Sequence, residues 1–288
     1  METVIKLCIY VILVLCTNLT VGMSKLLTMC QAAFFGIGAY IGAFFLLHFN
    51  LPFVVIVLLV MLATGMTGLL VSYASVKLKG DYFILGTIGF QMIVYTILYN
   101  WVSVTGGPSG KDGIPSIKLL GLWSLDEYDL GHFIFAIVLT IIILLVFGCL
   151  QKSPYGRMLK AIGTDELSAN ALGRNTTRLK AWTFFISAGI TGIVGLFYAS
   201  FMGYVSRSSF TLDESILLIT ALFIGGIGSR VWGPVLGAVV VALLPVLLRY
   251  VGLPDDQAAN LREVIYGIAL IVLMFVRPQG LLGDVKLK

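Results

Sequence analysis

Charge is what this chain of 288 residues has least of: Asp, Glu, Lys and Arg together make up 11% of it. A soluble domain carries about 25% charged residues, so this chain cannot cover itself with polar surface. Cysteine is also sparse. Cys8, Cys16, Cys30 and Cys149 lie in or beside apolar runs with no CxxC spacing, which excludes a disulfide framework or thiolate metal site and leaves small buried hydrophobes. The two histidines, His48 and His132, stand alone near the ends of apolar runs. There is no HExxH, no GxSxG and no pair of carboxylates inside an apolar run, so no catalytic centre is visible and no enzyme is expected. Residues Thr105 to Gly113 superficially resemble a phosphate loop. They lack the glycine five positions before Gly110-Lys111, where Thr105 stands, and the hydroxyl after Lys111, where Asp112 stands. The chain is therefore not expected to hydrolyse ATP, and no cofactor of its own is expected.

What is abundant is apolar. Hydrophobic residues make up 59% of the chain and mean hydropathy is +1.01, so the bilayer is its solvent. With about 20 residues per crossing, the length allows about eight to ten spans in one transmembrane domain, 1–288. The fold class is all-α and polytopic. Apolar runs between charges place spans at about 4–21, 34–50, 53–75, 82–100, 132–150, 181–202, 214–228, 232–251 and 262–276. The seventh is short and ends in Gly225-Gly226-Ile227-Gly228, which reads as a broken helix beside a cavity. The first run leads into Asn18 and Thr20 without an A-x-A pattern, so no cleavable signal peptide is evident.

Orientation follows from the cations. With residues 151–180 placed in the cytoplasm, alternation puts thirteen of the 19 Lys and Arg inside, together with the C-terminus carrying Arg277, Lys286 and Lys288. Asp126, Glu127 and Asp129 fall in the long outer loop 101–131. This asymmetry accounts for the pI near 9.0 without nucleic acid. Span interiors hold no Asp, Glu, Lys or Arg. Ion-coupled transporters need ionisable groups near the midplane, so the driving energy comes from outside this chain.

The segment 151–180 is the one long basic excursion, and it reads as two short capped helices. Ser153 is an N-cap with Pro154 at the first position, and Gly163 fits the C′ position. Thr164 then caps a second helix whose first turn holds Asp165 and Glu166, and Gly173 stops it. Tyr155, Met158, Leu159 and Ile162 form an apolar stripe beside a basic face that includes Arg157 and Lys160. A stiff amphipathic elbow of this kind offers a docking surface, or else anchors to anionic lipid.

Glycines crowd the spans, with GxxxG at Gly38/Gly42 and Gly233/Gly237, which allows close helix contact. Asn18, Gln31, Thr87 and Gln91 are the polar side chains within or beside spans. They serve interhelical hydrogen bonds or line a solute path.

Several segments, in order along the chain, resemble the branched-chain amino acid ABC-transporter permeases of the LivM type. They are Ala32 to Tyr40, Lys79 to Phe83, Thr105 to Pro108 with Gly113-Ile114-Pro115, Ser153 to Arg157 with Ala171-Leu172-Gly173, Gly225 to Gly228 with Trp232 to Ala238, and Arg277 to Gly283. Where family members often show Gly-His before Ala-Ala-Phe, this chain has Cys30-Gln31. The resemblance implies a type II ABC importer permease fold in a bacterial or archaeal plasma (inner) membrane. It also implies a second homologous permease subunit of the LivH type, two cytoplasmic ATP-binding subunits that carry ATP and Mg, and an extracytoplasmic substrate-binding protein. Carried onto this sequence, Tyr155, Gly156, Arg157, Lys160, Asp165, Glu166 and Gly173 form the coupling loop that contacts an ATPase subunit. Asn18, Gln31, Gln91, Gly225, Gly226 and Gly228 are candidates for the translocation path or broken helix. The implied solutes are Leu, Ile and Val. Urea or short-chain amides, as in relatives of the same type, are the alternative, and an ion-coupled secondary transporter is a more distant one.

Overall fold

The computed structural model describes residues 1–49, 51–75, 78, 80–119, 123–124, 129–173, 175–229, 231–250, 261, 264–269, 271–272, 275 and 280–282. The chain begins with α1 (Glu2–Thr17), which continues without a break as a π-helix over Asn18–Met23. Three long helices follow: α2 (Gln31–His48), α3 (Phe53–Ser75) and α4 (Asp81–Asn100). The short α5 (Val102–Thr105) leads to α6 (Asp129–Lys152). Then come α7 (Pro154–Thr164), α8 (Glu166–Ala171) and the 27-residue α9 (Thr176–Met202). After these come α10 (Leu212–Gly225) and α11 (Trp232–Tyr250).

Seven helices among the described residues are long and apolar enough to cross a membrane, and α11 adds a shorter apolar one. Eight of the predicted spans coincide with these elements to within a few residues. The ninth, 262–276, lies largely outside the described residues. Of it, residues 264–269 are helical, and the Tyr266 hydroxyl donates to the Val241 carbonyl (2.7 Å). The predicted basic terminus, Arg277, Lys286 and Lys288, and the loop acids Asp126 and Glu127 lie outside the described residues.

Burial sorts the helices into layers. The most apolar stretch of α1 is 78% buried and that of α9 is 72%, whereas the figure for α6 is 22%. So α1 and α9 form the interior, and α6, though the most hydropathic, turns most of its surface outward. Small residues set the spacing around α9. A Cβ on Gly38 of α2 would run into the backbone of Gly192, and one on Gly195 would sit 2.6 Å from the Ala39 nitrogen. On the other flank, Gly68 of α3 packs on Ala188 and Phe184. The helices touch backbone to backbone, as the GxxxG spacing predicts.

At the end of α9 away from α7 and α8, β1 (Lys111–Asp112) pairs antiparallel with β4 (Tyr204–Val205). A second two-residue pair, β2 (Lys118–Leu119) with β3 (Trp123–Ser124), lies in the same long loop. These four fragments leave the all-α class unchanged.

Candidate functional site

The elbow between α6 and α9 is built from caps. Ser153 Oγ accepts the Gly156 amide (3.3 Å) at the start of α7, with Pro154 in the first position as expected. A Cβ on Gly156 would lie 2.5 Å from the Leu150 carbonyl, so only glycine fits where α7 folds back on α6. Arg157, exposed, donates from Nη1 to the Lys152 carbonyl (3.0 Å) and answers one of the free carbonyls at the end of α6. The Tyr155 hydroxyl pairs with Thr183 Oγ1 (2.9 Å) and fastens α7 to α9. Burial is the main influence on this phenol and raises its pKa. Its ring lines a groove of about 390 Å³ with Asn175, Arg178, Leu179, Trp182 and Ile186. Leu159 and Ile162 are buried beneath α7, while Lys160 is exposed.

Two caps differ from the expectation. Gly163 does not end α7, which runs through Thr164. Its smallness serves packing instead, because a Cβ there would lie 2.6 Å from the Met23 carbonyl at the end of the π-helix. With Thr164 helical and its hydroxyl donating to the Lys160 carbonyl (2.9 Å), the N-cap of α8 moves to Asp165. Asp165 Oδ1 accepts the amides of Leu167 (3.0 Å) and Ser168 (3.2 Å), and Oδ2 accepts the Ser168 hydroxyl. These bonds, the Ser168 hydroxyl foremost, hold the carboxyl below its ordinary pKa.

Glu166 is not a free surface acid. Its Oε1 lies 2.6 Å from Lys180 Nζ, and the Lys180 side chain is only 6% exposed. The pair ties α8 to the base of α9. Gly173, at φ +75°, ends the elbow as predicted, and Asn175 caps α9 by accepting the Arg178 amide (2.9 Å). What the elbow offers outward is apolar as well as basic, because Leu167 is 79% and Leu172 81% exposed.

The other candidates lie inside the bundle. Gly225 is the last residue of α10, and a Cβ on it would collide with the Gly233 carbonyl at the start of α11. Gly226 (φ +119°) and Gly228 (φ +68°) adopt conformations that other residues rarely do, so the helix breaks there as expected. Backbone from further along closes the break. The Leu281 and Leu282 amides donate to the carbonyls of Ile224 (3.1 Å) and Gly225 (3.0 Å), the groups that the end of α10 leaves unpaired. Asn18, the first residue of the π-helix, donates from Nδ2 to the Ser229 carbonyl (3.0 Å) in the same break. Gly22 comes within reach of the Gly228 nitrogen. One six-residue π-helix thus touches the elbow at Met23 and the α10–α11 break at Asn18.

Gln31 opens α2, and Gln91 of α4 bonds the same first turn. Gln91 Oε1 accepts the Ala33 amide (2.7 Å) and its Nε2 donates to the Phe210 carbonyl (2.9 Å). Gln31 Nε2 donates to Thr191 Oγ1 and Ser187 Oγ. Both amides are buried and tie helices together.

Sequence reasoning missed the π-helix, the buried Lys180 and the capping role of 280–282. Lys180 alone left a signal, as a cation 14 residues beyond an acid in an amphipathic elbow.

The family described as branched-chain amino acid transport system / permease component matches residues 1–274. The high-affinity branched-chain amino acid transport permease protein LivM of Salmonella typhimurium (strain LT2) is 32% identical over 295 residues, covering 95% of this chain and 68% of that protein. LivM of Escherichia coli (strain K12) gives the same identity and coverage. LivH of Salmonella typhimurium is 28% identical over 193 residues, 65% of this chain and 60% of that protein. No solved structure matches. With seven long apolar helices and this similarity over almost its whole length, the chain is a polytopic membrane permease of the branched-chain amino acid transport family.

Proposed function

We propose that this permease forms half of the translocation path of an ATP-driven importer for Leu, Ile and Val. A second permease subunit of the LivH type completes the path, and two ATP-binding subunits carry ATP and Mg. An extracytoplasmic binding protein delivers the solute. The elbow, α7 and α8, faces the cytoplasm together with the C-terminus and docks in an ATPase subunit. One observation carries this reading: among the described residues the elbow is the site where a capped, rigid unit exposes Leu167 and Leu172 next to Arg157 and Lys160. A lipid anchor needs neither the caps nor the half-buried Glu166–Lys180 pair, whereas a lever needs both.

The π-helix is the route inward. It abuts α7 at Met23 and bonds the α10–α11 break at Ser229, so displacement of the elbow bears directly on the broken helix that Gly225, Gly226 and Gly228 create. Reconstitution tests the reading. Assembled with ATP-binding subunits, the second permease and the binding protein, the chain should take up branched-chain amino acids only with ATP. Uptake driven by an ion gradient in the chain alone would overturn it, and ATP-driven uptake of urea or short-chain amides alone would change the solute.

A further inference from the structure

The end of the molecule opposite the elbow holds a cation that the importer reading does not use. Arg207 sits in the 3₁₀ turn Arg207–Ser209 between α9 and α10. Its Nη1 donates to the Tyr95 hydroxyl (2.7 Å) on α4. Its guanidinium carbon lies 4.1 Å from the centroid of the Tyr99 ring and 5.1 Å from that of Tyr95. No carboxylate lies within ion-pair distance of it among the described residues, whose salt bridges are Lys6–Glu2 and Lys180–Glu166. Two tyrosines therefore fix the orientation of the guanidinium without neutralising it. A guanidinium has five N–H donors, and Tyr95 takes one.

The surroundings supply further hydroxyls. Tyr204, three residues before Arg207, donates to the Ser109 carbonyl (2.9 Å) and holds the glycine-rich turn 106–110 alongside. The Tyr40 hydroxyl, on α2, is buried (6% exposed) and makes no hydrogen bond among the described residues. The Tyr40 ring lies 6.1 Å from that of Phe210, the residue that closes the turn carrying Arg207. Buried hydroxyls are nearly always answered, so an unanswered one packed on the same turn as an unneutralised cation marks a place prepared for an acceptor.

The geometry points to a carboxylate subsite at the entry end of the permease, in which Arg207 and the Tyr40 hydroxyl hold the α-carboxylate of a zwitterionic amino acid. The inference rests on the importer reading above and narrows its solute. An aligned guanidinium edge matches the two oxygens of a carboxylate, whereas urea and simple amides present one neutral oxygen and gain far less. Deeper along α10 Glu214 accepts the Tyr10 hydroxyl (3.3 Å), and beyond it the middles of the spans carry no Asp, Glu, Lys or Arg, so the apolar side chains of Leu, Ile or Val meet little competing charge there.

The test uses the full transporter without its binding protein in lipid nanodiscs, with tritiated L-leucine as probe. Three competitors are compared: unlabelled L-leucine, 4-methylpentanoate, which keeps the carboxylate and lacks the ammonium, and L-leucinamide, which lacks the carboxylate. Leucine and 4-methylpentanoate should displace the probe, and leucinamide should be weaker by about tenfold or more. R207Q should abolish displaceable binding, and R207K should keep part of it. Y40F removes a hydroxyl that bonds nothing among the described residues, so it should leave melting unchanged while weakening leucine binding severalfold. This variant keeps the test decisive if R207Q does not fold. Equal competition by leucinamide, wild-type leucine binding in R207Q or Y40F, or no displaceable binding in the wild type overturns the subsite. So does an R207Q variant whose only loss is affinity for the binding protein. ATP-driven leucine uptake by the complete wild-type assembly is measured in parallel. Its absence removes the importer reading, whereas its presence with indifferent competitors removes only the subsite.

Discussion

Removing the Glu166 carboxylate tests whether the elbow is a stiff unit. Lys180 Nζ and Glu166 Oε1 lie 2.6 Å apart, with side-chain exposures of 6% and 44%. At that separation the Coulomb attraction is about 6 kcal/mol at an effective dielectric constant of 20 and about 1.6 kcal/mol in water. Desolvation of the ammonium cancels much of it. Breaking a fully buried pair from one side costs about 3–5 kcal/mol, and the half-open glutamate brings this to about 2 kcal/mol for Glu166→Gln. Lys180→Met removes the buried cation itself and should cost less, about 1 kcal/mol, while the double variant should resemble Lys180→Met. The coupling in the cycle should therefore be about 2 kcal/mol. Amide hydrogen exchange over residues 166–180 in nanodiscs reads the local opening free energy directly. A loss of about 2 kcal/mol appears there as roughly thirtyfold faster exchange in Glu166→Gln. An increase below about threefold, or a cycle with no coupling, would refute the argument that this pair stiffens the elbow.

The remaining expectations concern the same machinery. The Asp165 carboxyl titrates below its unfolded value, so its cap on α8 is present above the ordinary carboxylate range and lost as pH falls through the lowered value. Protection of the Leu167 and Ser168 amides should disappear across that interval, and Asp165→Ala should lack it at neutral pH. Gly163→Val forces a branched side chain against the Met23 carbonyl and should destabilise the seating of α7 by about 1–3 kcal/mol, read as a lower melting temperature. Asn18→Ala removes the bond to Ser229, worth about 1 kcal/mol. In the reconstituted importer it should lower solute moved per ATP hydrolysed more than it lowers ATP hydrolysis; an equal fall in both would mean that the bond only supports folding.

The spans were legible because composition decides them: a run such as Phe53–Ser75 has no stable place except lipid or a helix interior. Which helices end up central was not, because α6 is the most hydropathic span yet among the least buried, and neighbouring glycines rather than hydropathy draw α9 inward. In the elbow, Ser153 and Gly173 announced themselves by local chemistry. Gly163 misled, since a glycine that satisfies a C′ position and a glycine that allows close packing look the same in sequence. Thr164 and Asp165 are comparable N-caps, and the choice fell to Asp165 because α7 runs one residue further. The π-helix left no trace in the residue pattern. It follows from long-range contacts of Asn18 and Gly22 with the α10–α11 break, which lies more than 200 positions further along the chain.

Those contacts give the broken helix a particular mechanical character. A helix end inside a membrane is costly if its carbonyls stay unpaired, and the end of α10 is answered not by neighbouring turns but by the amides of Leu281 and Leu282. Across the same break, Gly225 and Gly237 press α10 and α11 together at backbone contact, while Asn18 holds the Ser229 carbonyl. Each partner comes from a different part of the chain, so α10 and the break cannot shift together along the helix axis without breaking hydrogen bonds to two separate segments. Such a joint resists small displacements and yields only to one that moves the π-helix with it. The residue against which that π-helix ends is Gly163 of the elbow. A load applied at α7 therefore reaches the break through the backbone at Met23 and Gly22 and through the Asn18 side chain at the other end of the π-helix.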